Sequence, residues 1–129
     1  MKENKWQKIM ILRFYRIIQI GKKQRLLIEF IDDKYEILST FFESDVLTFE
    51  ERIKSDFNRV LSGESEYEEL NGNVCCVEIS PKTTKVYDNI AKDAMGNWCE
   101  VDTQELCKMI YEWCDKFREL KKEHHNEDS

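Results

Sequence analysis

Residues 102–120 read DTQELCKMIYEWCDKFREL, and their spacing decides the fold. Leu106, Ile110, Trp113, Phe117 and Leu120 recur at intervals of four, three, four and three, which places them on one face of a helix. Asp102 and Glu105 stand three apart at its start, where carboxylates satisfy free amides and suit the positive end of the helix dipole. Lys121, Lys122, His124 and His125 put basic residues at the other end. The spacing predicts a helix over 102–122, long enough to lie across a whole sheet, followed by a disordered tail over 123–129.

Working backwards, a second helix is expected over 48–62. Thr48 and Glu51 have capping-box spacing. Phe49, Ile53, Phe57, Val60 and Leu61 form one apolar stripe, and Ser62-Gly63 supplies the stop. Between the helices the punctuation is that of a sheet. Asn71-Gly72 is a strong hairpin signal because both residues tolerate positive φ. It separates apolar runs at 67–70 and 74–79, and Pro81-Lys82-Thr83 turns the chain into a third run at 84–90. An irregular stretch at 91–97 leads to a short edge strand at 98–101.

The N-terminal part is less regular. Residues 7–20 are rich in β-branched and aromatic types, which favour a strand, yet Arg13 and Arg16 also suit the basic edge of a helix. Gly21-Lys22-Lys23 reads as a turn. Runs at 26–31 and 35–42, separated by Asp32-Asp33-Lys34, look like a hairpin. With 129 residues, one α+β domain over 26–122 is expected: an antiparallel sheet interrupted by the helix at 48–62 and covered on one face by the helix at 102–122. Turns this short exclude the crossovers of a parallel sheet.

Charge divides the chain unevenly. In residues 1–25, eight Lys and Arg against Glu3 alone give +7, so residues 26–129 hold −13 for a total of −6. The basic segment is expected to be an N-terminal arm or an edge strand packed on the acidic body. Contact with RNA, aided by Trp6, Phe14 and Tyr15, is the alternative, and a start codon assigned too far upstream would also account for it. Arg13 and Arg16 interrupt the apolar stretch at 9–20, which is too short and too charged to span a bilayer. No small-residue cleavage site follows it.

Signals for catalysis are absent from the sequence. The five cysteines form no CxxC pair. Cys107 and Cys114 lie two helical turns apart, about 10 Å, too far to share one zinc. The cysteines are read as small buried hydrophobes with free thiols, in a reducing cytoplasm, with no metal and no cofactor. His124 and His125 sit in the terminal tail, where no imidazole is held for proton transfer. GxGxxG, GxxxxGK[ST] and GxSxG are all missing. The acids are more informative as a surface. Glu64, Glu66, Glu68 and Glu69 flank Tyr67 just before the Asn71-Gly72 turn. Acids interleaved with an aromatic can cover a basic cleft, though solubility alone also accounts for them.

From Leu26 onward the chain resembles small bacterial immunity proteins of contact-dependent or polymorphic toxin systems. The resemblance rests on a hairpin start followed by a Thr-capped helix, then Asn71-Gly72-Asn73 leading into Val77-Glu78-Ile79. Cys99-Glu100-Val101-Asp102-Thr103-Gln104-Glu105-Leu106 then enters a helix bearing Trp113. It implies a non-enzymatic inhibitor that binds a toxin encoded nearby and blocks its active site, with no catalytic residue to carry over. On this reading Glu64, Glu66, Tyr67, Glu68 and Glu69 form the partner-binding set, the toxin is a basic protein such as a nuclease, and neither membrane nor nucleic acid is a partner. An RNA-associated accessory protein using the basic arm stands as the alternative.

Overall fold

The computed structural model describes residues 11–89 and 97–128; the expected irregular stretch at 91–97 lies outside them except for Asn97. The chain runs β1 (Arg13–Ile20), β2 (Lys23–Phe30), a 3-10 turn (Asp33–Tyr35), α1 (Glu36–Phe41) and a π-helical turn (Phe42–Val46). It continues through α2 (Glu50–Leu61), β3 (Glu68–Asn71), β4 (Cys75–Ile79), β5 (Thr83–Asp88), β6 (Trp98–Asp102) and α3 (Thr103–Asp128). β1 and β2 make an antiparallel hairpin, and β3 to β6 make a four-stranded antiparallel sheet in chain order. The α+β class stands. α1 and α3 each touch β2 on the hairpin and β5 and β6 in the sheet, so the helices bridge the two.

α3 buries the face its spacing dictates. Leu106, Ile110, Trp113 and Leu120 are buried and Phe117 packs against the core. Asp102 Oδ2 accepts the Glu105 N–H at 2.8 Å, as expected of its cap position. Thr103, fully buried, donates to the Ser80 carbonyl at 2.6 Å and shares a 2.8 Å hydrogen bond with Thr84, tying the helix start to the β4–β5 turn. Helical backbone continues to Asp128, through most of the segment expected to be a tail. Trp113 packs between the rings of Tyr15 (6.3 Å) and Phe42 (5.8 Å), so one side chain joins α3, the hairpin and the helical turn.

Two local expectations are corrected. The 26–31 run pairs upstream with β1 through the two-residue turn at Gly21-Lys22, where Gly21 adopts φ +62°. The 35–42 run is helical instead. Asp32 Oδ1 accepts the Lys34 N–H at 3.0 Å and opens the 3-10 turn that leads into α1. Ile37, Leu38, Phe41 and Phe42 are then buried at helical spacing; their bulky apolar composition, read without that spacing, suggests a strand. The Thr48–Glu51 capping box does not form. The chain before α2 is already helical, so the Phe49 N–H bonds the Asp45 carbonyl at 3.0 Å and Thr48 Oγ1 donates back to Ser44. The stripe itself is correct: Ile53, Phe57 and Val60 are buried, and α2 ends at Ser62 with Gly63 at φ +88°.

The Asn71-Gly72 turn forms, for a different reason than positive φ, since among the described glycines only Gly21 and Gly63 have it. Asp45, 1% exposed on the π-helical turn, inserts its carboxylate into the β3–β4 loop. It accepts the N–H groups of Asn73 (3.1 Å), Val74 (3.2 Å) and Cys75 (2.9 Å). A Cβ at position 72 would stand 2.5 Å from Asp45 Oδ2. Glycine is required by that close approach. The loop is further closed by Gly72 N–H to the Cys75 carbonyl at 2.8 Å and Asn89 N–H to the Val74 carbonyl at 2.8 Å.

All five cysteines are buried and unpaired. Burial pushes the Cys75 and Cys99 thiols up to about 12 and Cys114 up to about 11. Among the described residues no group of three His, Cys, Asp or Glu could hold a metal, and no helix is long and apolar enough to cross a membrane.

Truncating Trp113 to Ala is expected to cost about 3–5 kcal/mol in a urea melt, the range for a large buried aromatic; a loss under about 1 kcal/mol would place the side chain outside the core. Asp45→Ala leaves three loop amides without an acceptor and is expected to cost about 3 kcal/mol or more, while Gly72→Ala costs about 1–3 kcal/mol by overpacking. Denaturation curves on both variants check this, and wild-type stability in either would dismiss the clasp. Thiolate being the reactive form, a chromogenic disulfide reagent at pH 7 should label the native protein slowly and find five thiols at once in denaturant. Rapid native labelling would contradict the burial.

Candidate functional site

Side chains alternate across the four-stranded sheet. Leu70, Cys75, Val77, Ile79, Thr84, Val86, Cys99 and Val101 are buried toward the helices. The other face carries none of α1, α2 or α3. Pairing register lays out its side chains in rows across the strands: Glu69, Glu78, Lys85 and Glu100 form one, and Asn71, Cys76, Tyr87 and Trp98 the next. Tyr87 donates to Glu78 at 3.1 Å, Thr83 donates to Glu100 at 2.7 Å, and Lys85 Nζ lies 5.4 Å from the centre of the Trp98 ring. Cys76 is covered here by neighbours and donates to Asn89 Oδ1 at 3.2 Å. The face thus offers three carboxylates and one lysine beside two aromatics, with Trp98 42% exposed.

The segment singled out from the sequence borders this face. Tyr67, just before β3, is 47% exposed. Partial burial together with the charges of Glu78 and Glu69 pushes its phenol up, which places it in the field of the acidic row. Glu69 is exposed on the outer face, and Glu64 and Glu66 are exposed in the preceding loop. Glu68 differs from its neighbours. It shares the inward side with Leu70 and accepts from Arg59 at 2.6 Å and from Ser65 Oγ at 2.7 Å. Arg59 also pairs with Asp56 at 3.5 Å and approaches Glu64 at 3.8 Å, so one guanidinium on α2 holds the loop that presents Tyr67. Glu68 is therefore a positioning residue. Glu78, Tyr87, Trp98 and Glu100 complete the face, and only register across strands brings them to it.

The described part of the basic segment spans β1, the turn and the start of β2, and its side chains reach α3. Arg13 donates to Glu112 on α3 at 3.1 Å and lies 3.5 Å from Glu105. Tyr15 also donates to Glu112, and Lys116 sits over the Tyr15 ring. Burial raises the cost of charge on Glu112, but the Tyr15 and Arg13 hydrogen bonds outweigh it and hold the carboxyl below its usual range. Arg16 pairs with Glu29 across the hairpin at 3.4 Å. The charge boundary at residue 25 falls inside β2, so it marks no structural division. A groove of about 560 Å³ along α3 is lined by Lys108 and Lys116 alongside Cys107, Glu112, Asp115 and Glu119, a set of mixed charge. The side chains of His124 and His125 lie outside the described ones.

No protein-family model matches the chain, and no solved structure matches it. A curated protein from Bacillus cereus named "Immunity protein" is 38% identical over 92 residues, covering 71% of this chain and 79% of the relative. Identity of that extent and coverage shows that the chain belongs to the immunity protein family.

Proposed function

We propose that this protein is a non-catalytic inhibitor that binds and neutralises a cognate toxin encoded beside it, acting in the cytoplasm of the producing cell. The observation that carries the choice of surface is the exposure of Tyr67 between Glu66 and Glu69, continuous with Glu78, Tyr87 and Trp98 on the sheet face. Aromatics of this kind anchor protein interfaces. Surrounding carboxylates steer a basic partner and set the rate of encounter. A nuclease, whose cleft must be cationic to hold a phosphate backbone, is the partner chemistry this surface suits. The RNA-binding alternative loses support because Arg13 and Tyr15, two of the groups it would use, are already engaged by Glu105 and Glu112 on α3.

Co-expression with the product of the neighbouring toxin-like gene should give a 1:1 complex. Reversing two of the exposed acids, Glu66→Lys with Glu69→Lys, is expected to slow association by about tenfold or more, and the wild-type rate should fall as salt rises. Glu68→Lys should instead lower stability, because it sets a second cation against Arg59. An association rate indifferent to salt and to the double reversal would remove the sheet face as the site. Failure to bind any neighbouring gene product would remove the inhibitor reading.

A further inference from the structure

Among the described residues, the hairpin leaves one strand edge without a partner strand. Ile31 N–H donates to the Leu12 carbonyl at 3.2 Å, and in an antiparallel ladder the backbone groups of alternate residues point to the same side. Phe14, Arg16, Ile18 and Ile20 therefore bond toward β2. On the far side of β2, Ile28 donates to Glu43 at 3.2 Å and accepts from Ser39 Oγ at 2.9 Å, so side chains close that edge. By the same alternation the N–H and C=O groups of Arg13, Tyr15, Ile17 and Gln19 face away from β2, and no described strand pairs with them. Natural edge strands are blunted by proline, a bulge or an inward charge. β1 has eight residues in unbroken register and no proline. Its one inward cation, Arg13, is taken up by Glu105 and Glu112.

The two faces beside this edge differ. Inward, Tyr15 and Ile17 border a cavity of about 210 Å³ shared with Leu26 and Leu120 on its apolar side. Outward, Phe14, Arg16, Ile18 and Ile20 on β1 lie beside Glu29, Leu27, Arg25 and Lys23 on β2, with Lys22 at the turn, so exposed apolar side chains are interspersed with four cations and one acid. We propose that the outer edge of β1 docks an extended segment of a partner protein, adding a third strand whose inward side chains are apolar and whose outward ones are carboxylates. Such an added strand takes up the unpaired backbone groups, fills the cavity and meets the cations. Charge decides against a second copy of this chain, since edge-to-edge pairing would bring two cationic hairpins together. The edge is separate from the acidic sheet face, and this proposal does not rest on toxin recognition there.

The test uses the full chain with a capped octapeptide alternating Val and Glu, against one alternating Val and Lys, followed by amide exchange in NMR. The Glu peptide is expected to slow exchange at Tyr15, Ile17 and Gln19 by about tenfold or more, and the Lys peptide to leave those amides unchanged. Ile17→Pro removes an outward N–H without touching the β1–β2 ladder, and should weaken Glu-peptide binding by about tenfold. Arg16→Glu with Lys22→Glu, which spares the backbone, should reverse the preference between the peptides. Absence of protection at millimolar Glu peptide, equal protection by both, or an unchanged preference in the charge-reversed variant would each overturn the proposal.

Discussion

A single buried carboxylate sets the geometry on which the sheet depends. Asp45 sits on a helical turn and accepts three consecutive amides of the β3–β4 loop, a loop that would otherwise enter the interior with unpaired donors. Each hydrogen bond to a charged acceptor stabilises more than a neutral one, and losing the acceptor exposes every donor to the cost of burial. The clasp therefore fixes where β3 ends and β4 begins. Because side chains alternate along a strand, a slip of one residue would send Val77 outward and Glu78 into the core. The outer face keeps its acids and aromatics outside because Asp45 and Gly72 hold the register at the turn.

Charge pairing plays the corresponding part between the hairpin and α3. The hairpin is basic and α3 is acidic where they meet, so Arg13 and Tyr15 converge on Glu112 while Trp113 receives the Tyr15 ring. Opposite charge in sequence thus becomes contact in structure. Arg13 is spent on this attachment, while Glu69 and Glu100 remain exposed on the sheet. Arg59 performs a related task on α2: its bond to Glu68 keeps the loop before β3 in place, and Tyr67 and Glu69 are presented as a consequence.

Features governed by local spacing were legible in the sequence. α3 and its Asp102 cap, the α2 stripe, the turn at Asn71-Gly72 and the two following strands all depend on residues within a few positions of one another. The failures have a common origin in longer-range or competing local effects. Residues 35–42 are apolar enough for a strand, but Asp32 starts a helical turn and β2 finds its partner upstream. The Thr48 box did not form because the chain before α2 is already helical and Thr48 Oγ1 donates back to the Ser44 carbonyl. Asp45 reaches a loop 28–30 residues away, and no local pattern signals that. At the candidate site, Glu66, Tyr67 and Glu69 are exposed, but the inward turn of Glu68 and the convergence of Glu78, Tyr87 and Trp98 follow from register between strands.

The family places the protein among those named for immunity, and the surface we propose for its partner is the sheet face held in register from behind by Asp45. That claim is tested most directly by amide hydrogen exchange on the purified complex with the neighbouring toxin. Binding at the face should protect the backbone around Tyr67 and Glu69 in β3 and around Trp98 and Glu100 in β6, the two edge strands, and leave the exposed side of α3 unchanged. Protection confined to α3 or to its groove, with β3 and β6 exchanging as in the free protein, would contradict it.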